Sequence, residues 1–380
     1  MPKPEVTWFT NDHEHSLHYF KYGLMRLAGA GEIRFREIPN DQAGDLLPRQ
    51  IREHHHRRTV AVRISDGRCS RLLILDGEDS LFQLSPLIQW CDLYFSCTYR
   101  RKFFEGEPFD LELPWQTEEE ISHYRDLYSK LQSDYQEHLH KAVPLMPIGP
   151  AMEWSKQLDF LRRKAWGARH KFSKLFAPWI DWGIQCARFE TRWEHLHRLR
   201  EMEPVHDIVL KDSLWGWPRH RVTLHRKLAD LADRYDIRSE LHYRSAEPYE
   251  LGEHSEPDPN DFPMISGGGV QGDYEEAIAR SRLGVFATGF HYGCRNIVTL
   301  AWFLGLPTFS DPFSFELIYD FSEVGVSIHR SGTWEEIPEA LETARCENKQ
   351  IRIKRQQRFD QIAEPIRGAR WILDKSIDKI

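Results

Sequence analysis

The stretch ISGGGVQGDYEEAIARSRLGVFATGFHYGCRNIVTLAWFLGLPTFSDP, residues 265–312, gives the clearest indication of fold in this 380-residue chain. It runs from a glycine-rich loop through a short helix into the apolar strand 283–288. A second glycine-containing loop, a helix over 296–303 and a strand over 306–310 follow. Strands that alternate with helices predict βαβ units and a parallel sheet. The small residues after the strand let backbone N–H groups approach a ligand, and the positive end of the next helix favours an anion there.

The same alternation continues on both sides of this stretch. Toward the N terminus, apolar runs that read as strands recur at 6–9, 33–38, 59–64, 71–75 and 93–98. We therefore predict an α/β protein with two Rossmann-like domains that face a cleft and a C-terminal helix that closes over them. The predicted parts are a first domain at 1–150, a helical basic and aromatic linker at 151–204, a second domain at 205–345 and the C-terminal helix at 346–380.

Composition limits the function classes. Lys and Arg number 51 against 58 Asp and Glu, and the net charge of -7 argues against a dedicated nucleic-acid binder. The sequence contains no run of about 18 apolar residues, so we predict no membrane-spanning helix. The first residues, MPKPEVTWFTNDHEH, lack the basic and apolar regions of a secretion signal, and the six cysteines form no CxxC pair. We expect a cytoplasmic protein with reduced thiols.

The order of elements in 265–312 resembles the donor-binding half of GT-B glycosyltransferases, especially the exostosin-like and bacterial polysaccharide-type enzymes. The shared features are a tyrosine-containing helix, the turn Ala-Arg-Ser-Arg, a strand, a glycine loop with an arginine, a helix and Gly-Leu-Pro before the next strand. The resemblance extends to DIVLKDSLWGWPRHR and covers roughly residues 205–320. It implies a glycosyltransferase, a transferase of cell-surface polysaccharide biosynthesis that uses a nucleotide-sugar donor and a saccharide or lipid-linked acceptor.

The resemblance also implies which residues hold the donor. Candidate donor-binding residues are Lys211, Ser213, Arg221, Gly289, His291, Gly293, Arg295 and Glu316. The basic members suit the phosphates of the leaving nucleotide. Many members of the family place a glutamate on the helix before Gly-x-Pro to hold the ribose, whereas this helix reads NIVTLAWFL, so Glu316 is the expected replacement.

Two loops of the first domain offer catalytic carboxylates or a base. DGEDS follows the strand RLLIL and presents Asp76, Glu78 and Asp79, which could act as general base on an acceptor hydroxyl or coordinate Mg²⁺. Because no Asp-x-Asp pair is present there, we expect no required metal and no cofactor beyond the donor substrate. The loop after the first strand supplies Asp12 and His13, where the alternative is a helix N-cap.

Two further patterns have simpler alternatives. Basic and aromatic residues alternate over 162–183, which suits peripheral contact with the inner face of a membrane or a solvated helix between the domains. The run 54–56 is three histidines in a polar loop without cysteines nearby, which favours solvated surface over a metal site.

Two other functions stay open on the sequence alone. A nucleotide-sugar epimerase of the same fold would convert the free nucleotide sugar without any acceptor. A catalytically inactive relative would bind a nucleotide or glycan as a scaffold, and the missing helix glutamate favours it.

Overall fold

A computed structural model describes residues 3–146, 149–152, 178–213, 218–242, 265–266, 272–289, 292–316 and 320–377. The predicted class is confirmed, since the described chain forms two α/β domains, each built on one sheet.

The first domain is built on a sheet whose strands lie in the order β2-β1-β3-β4-β5-β6. Their bounds are β1 Glu5–Thr10, β2 Arg34–Pro39, β3 Thr59–Ser65, β4 Ser70–Asp76, β5 Leu93–Ser96 and β6 Ala142–Pro144. Side chains alternate between the two faces of the sheet, as Trp8 enters one apolar core and its neighbour Phe9 enters the other. The sheet is therefore covered on both faces, as the alternating pattern predicts.

One strand departs from the predicted parallel sheet. β3 runs antiparallel to both of its neighbours, β1 and β4. Only the turn 66–69 joins β3 to β4, and the Asp66 carboxylate accepts hydrogen bonds there from the backbone N–H groups of Arg68 and Cys69 at 2.8 and 2.9 Å. A connection this short cannot cross over a sheet, so the two strands form a hairpin.

Helices cover this sheet. They are α1 His18–Gly29, α2 Arg49–Arg52, α3 Arg101–Phe104 and α4 Glu118–Tyr135. α4 begins with a capping box in which Thr117 accepts from the backbone of Glu120, and the Glu120 side chain accepts from the backbone of Thr117. This cap fixes the residue at which α4 begins.

The second domain has strands in the order β12-β11-β10-β7-β8-β9. The bounds are β7 His206–Ser213, β8 Ile237–His242, β9 Ile265–Ser266, β10 Ser281–Phe286, β11 Thr308–Ser310 and β12 Val326–Ile328. All neighbouring pairs are parallel except β8 and β9. Numbered along the chain within this domain, the order is 3-2-1-4-5-6, which is that of the Rossmann fold. Ligands of such sheets bind where the order reverses, here between β7 and β10.

The remaining helices connect and close the two domains. They are α5 Pro178–Arg200, α6 Pro218–Leu231, α7 Tyr274–Ala279, α8 Asn296–Phe303, α9 Ile337–Arg345, α10 Lys349–Ala363 and α11 Pro365–Ile377. On α5, the Trp193 ring lies 6.0 Å from the ring of Tyr19 in the first domain and 5.2 Å from that of Phe303 in the second. α5 therefore packs between the domains.

The C-terminal segment returns to the first domain. It consists of two helices rather than the single long one that the sequence predicts, because Pro365 forces Glu364 into an extended conformation. α10 packs on α8, and α11 packs on α1 so closely that a Cβ on Gly23 would lie 2.0 Å from the carbonyl oxygen of Pro365. Tyr19 fixes the crossing by donating to the Ala363 carbonyl at 2.7 Å.

Candidate functional site between the two sheets

The two loops that the sequence singles out meet at the interface between the domains. Gly293, in the loop before α8, packs directly on the backbone of Asp79, in the loop after β4. A Cβ built on Gly293 would lie 1.2 Å from the Asp79 carbonyl oxygen. Only glycine permits this approach. The DGEDS loop and the GFHYGCR loop therefore belong to one site.

The first-domain side of this site is acidic. Asp76 and Glu78 are 3% and 2% exposed, and the Asp79 side chain is 29% exposed. Asp76 accepts hydrogen bonds from the Tyr94 hydroxyl and, at 2.9 Å, from the backbone N–H of Glu78. Asp76 therefore stabilises the loop, whereas Asp79 is the carboxylate that reaches the cleft.

The three carboxyl groups differ in acidity because their surroundings differ. Burial raises the pKa of Asp76 to about 6, although its hydrogen bond from Tyr94 acts against this. Burial also raises the pKa of Glu78 well above its usual range, and Asp79 contributes by repulsion and by a shared hydrogen bond. The Arg58 guanidinium overcomes burial and lowers the pKa of Asp79. An acid and its ionised neighbour therefore lie side by side, an arrangement suited to proton transfer.

Two arginines complete this cluster, and the sequence analysis did not single them out. Arg58 forms an ion pair with Asp79, and Arg57 lies 3.1 Å from a Glu78 oxygen. Arg58 has a φ of 49°, a left-handed conformation that is uncommon for a residue other than glycine. Its carbonyl accepts from the backbone of Gly77 at 2.9 Å, so the backbone holds this geometry in place.

The loop after β1 lies beside this cluster and carries the other two catalytic candidates. Asn11 accepts from the backbone N–H of His13 at 2.8 Å and donates to the Thr59 carbonyl at 2.9 Å, which fixes the turn. Asp12 is exposed on that turn and makes no side-chain hydrogen bond to the first helical turn. The alternative interpretation, a helix N-cap at Asp12 or Ser16, is therefore not seen in the described structure. The His13 ring lies against His55 with centroids 5.0 Å apart.

The second-domain side of the site is an arginine pair held by one aspartate. Asp212, near the end of β7, is buried and accepts from Arg221 at 2.6 Å and from both terminal nitrogens of Arg295 at 2.8 and 3.1 Å. Arg221 also donates to the Thr288 carbonyl at 3.3 Å. Two guanidinium groups share one carboxylate, so the group carries one excess positive charge where β7 and β10 end.

The other donor-binding candidates have varied positions. Lys211 forms a 3.3 Å ion pair with Glu240 of the neighbouring strand. Gly289 closes the loop before α8 by donating to the Gly293 carbonyl at 3.1 Å. The side chain of Ser213 and the whole of His291 lie outside the described residues.

Glu316 takes part in contacts between the domains. Its backbone N–H donates to the Tyr99 carbonyl at 2.8 Å, and its carboxylate accepts from the backbone N–H of Arg101 at 3.1 Å. In this conformation the carboxylate caps the first turn of α3, so a ribose contact would require this cap to open.

A buried histidine and aspartate extend the network along the same sheet edge, and the sequence analysis missed both. Asp311, after β11, accepts from His220 at 2.8 Å and from the backbone N–H of Thr288 at 2.8 Å. Trp115 of the first domain stacks on His220 with centroids 4.0 Å apart and donates to Asp311 at 3.3 Å. Thr288 thus connects this pair to Arg221, and Trp115 brings the first domain into contact with the network.

The cavity between the domains is small. It measures about 140 Å³, and its walls include Arg58, Asp79, Ser16 and Tyr19 of the first domain and Asn296 at the start of α8. Pockets for drug-sized ligands span about 300 to 1,000 Å³. As bounded by the described residues, the cavity accommodates a small group, and a larger ligand requires the domains to separate.

Two further expectations concern metals and membranes. Within the described ranges, no three His, Cys, Asp or Glu side chains lie in an arrangement that could hold a metal ion. His56 of the histidine run is buried and hydrogen-bonded to Thr59 at 3.0 Å and to the Ile51 carbonyl at 3.0 Å.

Among the helices described, none is both long and apolar enough to cross a bilayer. Residues 153–177, and with them most of the basic and aromatic stretch, lie outside the described residues.

Comparisons with known proteins add little to this geometry. No protein-family model matches the chain, and no curated protein matches it in sequence. Among solved structures it is similar to CalG4, the calicheamicin glycosyltransferase, at 12% identity over 76% of this chain and 68% of that one, with a TM-score of 0.31. A likeness at this level supports no functional argument, so the proposal below is based on the residues of the site.

Proposed function

We propose that this protein is a glycosyltransferase that moves a sugar from a nucleotide-sugar donor to a hydroxyl of a saccharide or lipid-linked acceptor, in cell-surface polysaccharide synthesis. The observation that carries the proposal is the arginine pair on Asp212, at the reversal point of a Rossmann-ordered sheet and opposite the carboxylate of Asp79. A cationic edge and an ionised carboxylate face each other across one cleft.

The second domain supplies the positive charge. A donor diphosphate would bind Arg221 and Arg295, whose planar guanidinium groups match phosphate oxygens. The start of α8 at Asn296 adds the partial positive charge of a helix N terminus. As the bond between the sugar and the diphosphate breaks, these groups would stabilise the charge that develops on the leaving phosphate.

The first domain supplies the base. Asp79 is ionised, but its ion pair with Arg58 lowers its pKa and weakens it as a base. Once that ion pair opens, Asp79 can accept the proton of an acceptor hydroxyl as that oxygen attacks the anomeric carbon. Glu78, whose pKa is raised by burial, lies beside Asp79 and between Arg57 and Arg58. His13 and Asp12 are the alternative base, from the loop after β1.

The cavity size adds a condition. At about 140 Å³ it is smaller than a nucleotide sugar needs, so the donor would bind a more open arrangement of the domains. The contacts of Trp115 with His220 and of Asp79 with Gly293 would break in that step. Donor binding should therefore be slower than diffusion alone allows.

The first experiment is a thermal-shift panel of UDP, GDP, CMP, ADP and dTDP, each with and without Mg²⁺. A ligand at 100 times its Kd adds roughly 2.7 kcal/mol of stability, which is readily visible. We expect one nucleotide to respond, and Arg295→Gln to abolish the response. The matched control is Arg358→Gln, because Arg358 is exposed and pairs with Glu323 far from this site. A panel with no response would contradict the proposal.

A measurement of turnover then tests the proposed base independently of the proposed donor site. Asp79→Asn should lose release of nucleoside diphosphate while it keeps nucleotide binding, and Asp45→Asn is the control because Asp45 is exposed. Equal turnover in both variants would exclude Asp79 as the base.

An epimerase remains the second candidate because the carboxyl pair of Glu78 and Asp79 could also serve elimination at a sugar ring. Conversion of the nucleotide sugar in the absence of any acceptor, followed by NMR, would favour it over transfer. Nucleotide binding without either reaction would leave the scaffold function.

A further inference from the structure

A second cavity lies at the opposite edge of the second sheet, away from the cleft. It measures about 260 Å³ and is larger than the cavity between the domains. Its walls include residues 201–204 before β7, the first residues of β10, Pro307 before β11 and one side of α10. None of these residues takes part in the proposed transfer, so the cavity needs its own explanation.

Arg352, on α10, is the distinctive group of this cavity. Its Nε donates to the Leu304 carbonyl at 3.1 Å and one Nη donates to the Ala279 carbonyl at 2.8 Å. These carbonyls belong to the C-terminal ends of α8 and α7, whose partial negative charge favours a cation. The other Nη has no hydrogen-bond partner among the described residues, and no carboxylate there lies within ion-pair distance.

Arg352 is partly buried, and no carboxylate of the described residues pairs with its charge. Desolvation lowers the pKa of Arg352 to about 10, and the nearby Glu203 offsets this only in part. Helix-end dipoles balance a fraction of a charge, whereas a bound anion would balance the whole of it and accept from the remaining Nη.

Most other charges around the cavity are already paired. The pairs that involve lining residues are Arg200 with Asp360 at 2.7 Å, Lys349 with Glu203 at 2.5 Å, and Glu347 with Arg355. Arg282 shares Asp207 with Arg345. Glu201 is the remaining acid, and it is exposed to solvent. Arg352 is therefore the lining cation that has no carboxylate partner among the described residues.

Apolar side chains form part of the cavity wall and also flank it in sequence. Val205 is 53% exposed and Ile351 is 37% exposed, and they are two of the three large apolar side chains exposed in the described chain. Each is the sequence neighbour of a lining residue, Pro204 and Arg352. Met202 and Ile353 line the cavity itself. Apolar groups beside an uncompensated cation fit a ligand that has both characters.

We propose that this cavity is a second binding site, for a small organic anion in which a phosphate or carboxylate group carries an apolar part. The anionic group would accept from the free Nη of Arg352, and the apolar part would lie against Met202 and Ile353. This cavity and the arginine pair lie at opposite edges of the second sheet, so ligand binding in the cavity does not require the proposed transferase activity.

The test uses phenyl phosphate and inorganic phosphate as probes of the full-length protein, with binding measured by saturation-transfer NMR and calorimetry. We expect phenyl phosphate to bind more tightly than inorganic phosphate. Arg352→Gln should weaken it at least about tenfold. Arg358→Gln, on the same helix, should bind as the wild type does.

Two results would overturn the proposal: unchanged phenyl phosphate binding in Arg352→Gln, or no binding by the wild type up to about 10 mM. Loss of phenyl phosphate binding in Arg352→Gln bears only on this cavity, whereas loss of the nucleotide response in Arg295→Gln bears on the proposed donor site, so the two proposals fail separately.

A measurement on the unmodified chain covers the case in which Arg352→Gln does not fold. Phenylglyoxal modifies accessible arginines, and mass spectrometry reports the rate at each position. Phenyl phosphate should slow modification of Arg352 and leave that of Arg358 unchanged. Equal rates at Arg352 with and without the probe would count against the site.

Discussion

Replacing Gly293 by alanine tests whether the two halves of the candidate site are in direct contact. The new Cβ would lie 1.2 Å from the Asp79 carbonyl oxygen, whereas real Cβ contacts are essentially never under 3.0 Å. The obstacle is backbone and not the end of a flexible side chain, so the two loops must separate by almost 2 Å. We expect a loss of about 3 kcal/mol, at the upper end of the range for overpacking.

Urea unfolding measures the loss, and the matched control is Gly29→Ala. Gly29 ends α1, and an alanine Cβ there would meet nothing within 4 Å. That change should stabilise the chain by up to about 1 kcal/mol. Because Arg295 follows Gly293 by two residues, Gly293→Ala should also weaken nucleotide binding. Wild-type stability in Gly293→Ala would refute the direct contact between the loops.

Three further predictions follow from the buried groups. Relative to the wild type, Asp76→Asn should gain up to about 3 kcal/mol of unfolding free energy as the pH rises from below 4 to above 6. The reason is that folding raises the pKa of the Asp76 carboxyl from 3.8 to about 6, which costs stability once that group ionises. Urea unfolding at several pH values measures the difference, and a difference that does not change with pH would contradict the prediction. Glu14→Gln should cost about 3 kcal/mol at neutral pH, since the folded pKa of Glu14 is about 2 beside the buried Lys21. This loss of stability should shrink as the pH falls below 4.5, and urea unfolding over that pH range measures it. A loss that stays the same at every pH would contradict the prediction. Trp115→Phe keeps the stack on His220 but loses the hydrogen bond to Asp311, so thermal unfolding should report a loss of about 1 kcal/mol, with a larger one in Trp115→Ala.

The loop between β4 and β5 was predictable because its signals are local. RLLIL is a continuous apolar run that reads as a buried strand, and DGEDS follows it with a turn glycine among acids. In parallel sheets the ends of such strands lie at one edge, so the sequence alone is enough to place Asp79 at the cleft. The same reasoning brings the loop of Gly293 and Arg295 to the edge of the second sheet.

The arginine partners could not be predicted in this way. A parallel β3 would place Arg57 and Arg58 at the amino edge of the sheet, far from Asp79. Because β3 is antiparallel, its first residues lie at the carboxyl edge beside Asp79 instead. The direction of a strand depends on how it pairs, which apolar periodicity alone does not determine.

Local periodicity and turn chemistry are enough to predict the alternation of strands and helices, the two α/β domains and the loops that carry polar residues at strand ends. The contacts of Asp212 with both arginines, of His220 with Asp311 and of Trp115 with this pair form only when the chain folds. Those contacts join residues up to 196 positions apart, Trp115 and Asp311. They depend on how two sheets pack against each other, and no short-range pattern in the chain encodes that packing.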